Sequence, residues 1–247
     1  MNLILIGTLA SLAAGSATII GALSVFFMRR VSEKFLDGAM GFAAGVMLSA
    51  TFFGLVAPAI RIGGVWKTAF GIVMGALFLI VFERMTPHLH RVTGRVGPPA
   101  RLSKLWLFIL AITIHNFPEG LSVGVGFADG NIRAGTALAI GIGLQNIIEG
   151  LVVAVPLFRD RNKVMDAFLI ASFTAVVEPI GGFLGISVVS LGKFLVPYGM
   201  AFAAGAMLFV TSEEIIPETH SRGNAREATV GLILGFIVMM VLESIFV

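Results

Sequence analysis

Apolar runs of about 20 residues, parted by short polar stretches, recur along the whole chain. A helix needs about 20 apolar residues to cross the hydrocarbon core of a bilayer. By that measure the pattern predicts eight spans, at about 3–28, 35–58, 65–84, 104–128, 133–157, 164–189, 195–215 and 227–246. Charges, or Pro and Gly, mark most of their ends. The longest polar connection, roughly 85–103, is too short to hold a soluble domain, so 1–247 reads as a single transmembrane domain. The first run has no basic region before it, which argues against a cleaved signal peptide. Arg29 and Arg30 follow that run and read as a cytoplasmic anchor, not a twin-arginine signal. The expected fold is an all-α polytopic membrane protein.

Composition agrees. The chain is 57% hydrophobic and 13% charged, against about 25% charged in a typical soluble domain, and its mean hydropathy is +0.98. Its 30 Gly suit close helix approach in a membrane. With no Cys, disulfides and thiolate metal ligands are excluded. A pI of about 9.7 invites a nucleic-acid reading, but the basic residues lie between the apolar runs, where membrane topology explains them. One set of loops holds Arg29, Arg30, Lys34, Arg84, Arg91, Arg95, Arg101, Lys104, Arg159, Arg161, Lys163, Arg222 and Arg226; the other holds Arg61, Lys67, Arg133 and Lys193. Thirteen against four, by the positive-inside rule, puts the 85–103 loop in the cytoplasm and both termini outside.

An internal repeat appears at an offset of 160 residues. Phe42-Ala43-Ala44-Gly45-Val46-Met47-Leu48 returns as Phe202-Ala203-Ala204-Gly205-Ala206-Met207-Leu208, and Thr51 as Thr211. Gly71, Gly75 and Glu83 match Gly231, Gly235 and Glu243, while the first and sixth spans match only weakly. Five spans separate the repeats, so they are inverted in topology. The expected plan is 3 + 2 + 3, with repeats at about 1–84 and 164–247 flanking a central pair at about 104–157. Inverted repeats with a midplane site between them are a transporter signature.

The central pair carries the chemistry. His115-Asn116-Phe117-Pro118-Glu119-Gly120 interrupts the fourth run, and Gln145-Asn146-Ile147-Ile148-Glu149-Gly150 interrupts the fifth thirty residues later. Carboxylates inside a membrane are costly and mark sites or pathways. Four-residue spacing stacks His115 with Glu119 and Gln145 with Glu149 on one helix face, with Asn116 and Asn146 beside them. At about 1.5 Å per residue, His115 lies roughly 15 Å and Gln145 roughly 17 Å into their spans, near the midplane of a core about 30 Å thick. Pro118 frees the Ile114 carbonyl and kinks the helix. Glu178, before Pro179, Gly181 and Gly182, reaches the same depth on the sixth span. Three carboxylates at one depth demand cations or protons. His nitrogen with carboxylate and amide oxygens suits Zn²⁺, Fe²⁺, Mn²⁺ or Cd²⁺.

A second polar group gathers towards the cytoplasmic side: Glu213, Glu214, Glu218 and His220 at the end of the seventh span, with His88 and His90 in the loop after the third. It reads either as an exit route by ligand exchange or as a solvated helix end. Ser49 and Thr51 are candidates near the outer mouth. Asp129, beside Gly130, is either a cation attractor or a turn residue, and the Met residues read as lipid-facing or packing groups.

With these motifs together, the chain resembles the ZIP family of divalent-metal transporters, of the short prokaryotic type, over essentially its whole length. The family's fourth-span motif His-Asn-x-Pro-Glu-Gly is met at His115, Asn116, Pro118, Glu119 and Gly120, and its fifth-span motif at Gln145, Asn146, Glu149 and Gly150. The resemblance implies one metal position bound by His115, Glu119, Gln145 and Glu149. A neighbouring position would use Asn116, Glu119, Asn146, Glu149 and Glu178, and Glu214 would serve the exit. Ile148 stands where the family usually has Pro, and Gln145 and Asn146 stand where many members carry His or Asp.

The expected function is transport of divalent metal, Zn²⁺ first, towards the cytoplasm by alternating access. One bundle, such as the first, third, fourth and sixth spans, would rock against the rest. The metal is substrate, with no organic cofactor, and the bilayer is the other partner; a homodimer is compatible with this reading and nucleic acid is not expected. A multi-pass location is expected, in a bacterial or archaeal cytoplasmic membrane first, with an organellar membrane as the alternative. The rivals are an intramembrane dimetal enzyme and a passive cation channel. The enzyme lacks support from any His-Glu-x-x-His or Glu-x-x-His pair within the spans, or from a Ser/His/Asp set.

Overall fold

Eight helices long and apolar enough to cross a membrane run through Leu3–Phe26, Glu33–Gly63, Val65–Met85, Trp106–Gly126, Ile132–Arg159, Val164–Val189, Lys193–His220 and Ala225–Phe246. They are called the first to eighth spans below. The computed structural model describes residues 2–28, 31–90, 94–161 and 163–246, without the side chains of His90, Lys104, Leu105, Asp160 and Arg161. The expected anchor, Arg29 and Arg30, lies outside the described residues. Asn2, Ser32 and Ser103 cap helix starts, their side-chain oxygens accepting from the N–H groups of Leu5, Phe35 and Trp106.

The second and seventh spans run further than the polar pattern indicates, to Gly63 and His220. Pro58 and Pro217 look like helix ends, because each lacks the N–H that continues the ladder. Instead the turns ahead of them widen into π-helix, over Ala50–Val56 and Thr211–Ile215, and the helix continues. The two π segments fall at positions that correspond across the 160-residue offset. The sixth span breaks after Thr174 and restarts at Val177. There the N–H groups of Val176 and Glu178 reach back only three residues, to the Phe173 and Ala175 carbonyls. Pro179 has no N–H for the Ala175 carbonyl, so this distortion is where the sequence suggests one. The fourth span stays helical through Pro118. Between the third and fourth spans, His88–His90 pairs antiparallel with Gly94–Val96.

Glycines let four pairs of spans meet backbone to backbone. A Cβ at Gly21 would lie 1.9 Å from the Ile147 carbonyl oxygen, joining the first and fifth spans, and one at Gly120 would lie 2.0 Å from the Glu178 carbonyl oxygen, joining the fourth and sixth. Gly45 meets Leu232 and Gly75 meets Phe202 in the same way, joining the second to the eighth and the third to the seventh. Ser11 ties the first span to the sixth through a hydrogen bond of 2.8 Å to the Glu178 carbonyl. Two groups result: first, fourth, fifth and sixth; second, third, seventh and eighth. Among the described residues, every glycine approach to a backbone carbonyl falls within one group, while contacts between groups run through side chains such as Met239 against Gly141 and Val189 against Gly199. The third span thus meets the seventh backbone to backbone and the fourth through the Phe78 and Phe117 rings, whereas the sequence reading had grouped it with the first, fourth and sixth. That grouping missed where the small residues point. Of the most apolar stretch of each span, 72% is buried in the fourth but only 22% in the third and eighth, so the fourth is central and those two lie at the periphery.

At the end that carries residues 85–103, buried Asp37 accepts from Arg222 at 3.1 Å and Asn224 at 2.9 Å, and Arg222 also pairs with Glu218 at 2.7 Å. Asp37→Ala leaves both donors without this acceptor, an expected loss of about 2 kcal/mol. The check is the thermal unfolding midpoint in detergent, which should fall for Asp37→Ala and fall less for Asp37→Asn.

Candidate metal site

The interior of the bundle holds an alternating network of carboxylates and amides. Gln145 Nε2 donates to Glu119 Oε1 at 2.5 Å and leans towards Asn146 Oδ1 at 3.4 Å. Asn146 Nδ2 donates to Glu178 Oε2 at 2.8 Å and to the Ala14 carbonyl at 2.9 Å. The Asn116 amide, turned so that its nitrogen faces acceptors, donates to Glu149 Oε1 and the Ile112 carbonyl, both at 2.8 Å. Glu119, Gln145, Asn116, Asn146 and Glu178 are all fully buried or nearly so. Glu178 occupies the first turn of the restarted helix in the sixth span, where the positive end of the helix dipole favours a carboxylate. The break in that span therefore sets Glu178 at the level of Asn146, which donates to it.

His115 pairs with Glu214. Glu83 lies beside Glu214, close enough for the two carboxylates to repel. A cavity of about 80 Å³ connects the two groups: His115, Glu119, Gln145 and Glu149 line it at depth, and Glu214, Glu218 and Leu89 line it towards the 85–103 end. Asn116, Asn146 and Glu178 are not among its lining residues and form the layer behind it. The network holds acceptor capacity in reserve: Glu119 Oε2, Gln145 Oε1, Glu149 Oε2 and Glu178 Oε1 are buried without a protein hydrogen-bond partner. Buried oxygens usually find partners, and four together suit a cation. Among the described residues no group of three or more His, Asp or Glu side chains is arranged to hold a metal ion by itself.

The exit group divides. Glu214 and Glu218 line the cavity, whereas Glu213 is exposed. His220 bonds Thr219, the Ile216 carbonyl and Thr229, and His88 bonds the Thr86 carbonyl beside a separate loop cavity. Neither histidine lines the site's cavity, and the His90 side chain lies outside the described residues. Ser49 and Thr51 are fully buried, not at a mouth; Thr51 donates to the Met47 carbonyl at 2.7 Å. Asp129 is a turn residue whose Oδ1 accepts from the Asn131 N–H. Two residues were missed. Met47 is buried and lines the cavity instead of facing lipid or only packing; its one signal was the place it holds in the repeat. Glu83 was matched to Glu243 across the repeat but not assigned to the site.

Eight membrane-crossing helices around a buried carboxylate, amide and imidazole site define a multi-pass membrane protein with an intramembrane polar centre. The sequence profile of the family described as ZIP Zinc transporter matches residues 96–243. The chain is 42% identical to the zinc transporter GufA of Myxococcus xanthus, over 96% of this chain and 97% of that protein. It is 39% identical to the zinc transporter ZIPB of Bordetella bronchiseptica, over 94% and 79%, and 32% identical to the human zinc transporter ZIP11, over 92% and 93%. The chain belongs to the ZIP zinc transporter family.

Proposed function

We propose that this protein carries divalent metal cations, Zn²⁺ first, towards the cytoplasm through the site between its fourth and fifth spans. The observation that supports this most is the cavity that runs from His115, Glu119, Gln145 and Glu149 to Glu214 and Glu218, with partnerless buried oxygens at its deep end. A cation there is held by His115, Glu119, Gln145 and Glu149. The Gln145 amide rotates to present Oε1 in place of the N–H it now gives Glu119. A second position uses Asn116, Glu119, Asn146, Glu149 and Glu178, with Glu119 and Glu149 shared. Ligand exchange from His115 to Glu214 and Glu83 then leads the ion to the 85–103 end, which the charge asymmetry assigns to the cytoplasm. Protons that compete for the same ligands promote release.

The packing supports alternating access. The site lies in the group of first, fourth, fifth and sixth spans, apart from Glu214 and Glu83, which belong to the other group. Backbone contacts make each group stiff, and side-chain contacts between them permit relative motion. The pair of Arg159 with Glu33 bridges the two groups at the inner end.

Uptake of Zn²⁺ into proteoliposomes loaded with a zinc-sensitive dye tests the reading. Wild type should show saturable uptake, and His115→Ala should lose most of it while retaining its fold. Flux that rises linearly with concentration would favour a channel, and no uptake of any divalent ion by folded wild type would overturn the transport reading.

A further inference from the structure

Met47 and Met207 stand at matching positions of the 160-residue repeat, and both are fully buried. Thr51 Oγ1 lies 3.8 Å from Met207 Sδ, and Thr211 Oγ1 lies 3.8 Å from Met47 Sδ. Each repeat's threonine thus contacts the other repeat's thioether, at the start of the π segments. The surroundings of the two sulfurs differ. Met47 lines the cavity with His115, Glu119, Gln145 and Glu149. Met207 is not among its lining residues; its sulfur accepts from Ser122 Oγ at 2.7 Å, three residues beyond Glu119 on the fourth span. Val152, three residues beyond Glu149 on the fifth, lines the cavity together with Met47. The fourth and fifth spans are antiparallel, so these steps lead in opposite directions from the carboxylates. One thioether flanks them towards the 85–103 end and the other towards the end that carries the termini.

We propose that Met207 is the second thioether of the transport site: when the site opens to the face that carries the termini, Met207 stands beside Glu119 and Glu149 as Met47 does here. The proposal rests on the alternating-access reading above. Rocking of one group of spans against the other shifts Glu119 and Glu149 along the group that holds both thioethers, from Met47 towards Met207. A cation then meets a polarizable sulfur on entry as well as on exit. Sulfur favours Cd²⁺ and Zn²⁺ over the harder Mn²⁺, so Met207 acts on selection at the moment of loading.

The test compares Cd²⁺ and Mn²⁺ uptake into proteoliposomes for wild type and Met207→Leu, which keeps the side-chain volume but removes the sulfur. The Cd²⁺ to Mn²⁺ ratio should fall roughly tenfold, the lower end of the cost of losing a group that supports a metal site. Because the chain has no Cys, Met207→Cys gives a second readout. Its thiol should react with a membrane-impermeant reagent applied at the terminus-bearing face, and Zn²⁺ should protect it. A wild-type ratio in Met207→Leu overturns the proposal. So does a Met207→Cys thiol that stays unlabelled while Met47→Cys labels from the opposite face. Failure of wild type itself to take up divalent ions would instead overturn the transport reading, independently of either variant.

Discussion

Glu119→Ala is expected to lower Zn²⁺ uptake by about a hundredfold or more while the protein still folds, exceeding the usual cost of losing a merely supporting group at a metal site. Glu119 is shared by both proposed metal positions. Its Oε1 is held by Gln145 and its Oε2 is buried without a protein partner. Removing the side chain deletes a charge from the centre of the site and frees Gln145 as well. Glu119→Gln should fail similarly, because it preserves shape but not charge. Glu178 belongs to only one of the two positions, so Glu178→Ala should retain more uptake than Glu119→Ala. Initial rates in proteoliposomes, with the amount of folded protein checked by size-exclusion profile, provide the measurement. Equal loss in both variants would contradict the sharing of Glu119.

Gly120→Val should have the largest effect on folding. A Cβ at Gly120 would lie 2.0 Å from the carbonyl oxygen of Glu178, and its next neighbours are also Glu178 backbone atoms. No flexible side chain can yield there, so the fourth and sixth spans must separate. The expected cost is about 3 kcal/mol or more, the upper end for overpacking. The separation also parts Glu119 from Glu178. Gly120→Val should therefore express poorly and lose uptake in whatever folds, whereas Gly64→Ala, at a position with open space but a φ of 82°, should suffer only its backbone strain. Normal yield and activity for Gly120→Val would contradict the packing of these two spans.

The eight spans were legible because hydrocarbon leaves a plain mark, a run of apolar residues long enough to cross. The meeting of His115, Glu119, Gln145 and Glu149 at one cavity was legible too, since a four-residue spacing places each pair on one face in any α-helix. What escaped the sequence depends on helix phase and on partners far apart in the chain. Pro58 and Pro217 mark helix ends in most contexts, and nothing local distinguishes an end from a π turn that lets the helix continue. The π segment of the seventh span also decides that Glu214 turns inward while Glu213 faces out, a choice that neighbouring glutamates in a sequence cannot reveal. Met47 sits in a run of small and apolar residues, where a thioether looks like packing until the cavity is seen. The grouping of spans depends on which carbonyl each glycine meets. Gly21 and Gly75 look alike in sequence, yet one meets the fifth span and the other the seventh.

Anomalous scattering at the zinc edge from crystals of wild-type protein grown with Zn²⁺ addresses the binding site itself. The strongest interior peak should lie within coordination distance of His115, Glu119, Gln145 and Glu149, and it should disappear in Glu119→Ala. Peaks confined to the loop and helix-end histidines, His88 and His220, with none between the fourth and fifth spans, would contradict the proposed site.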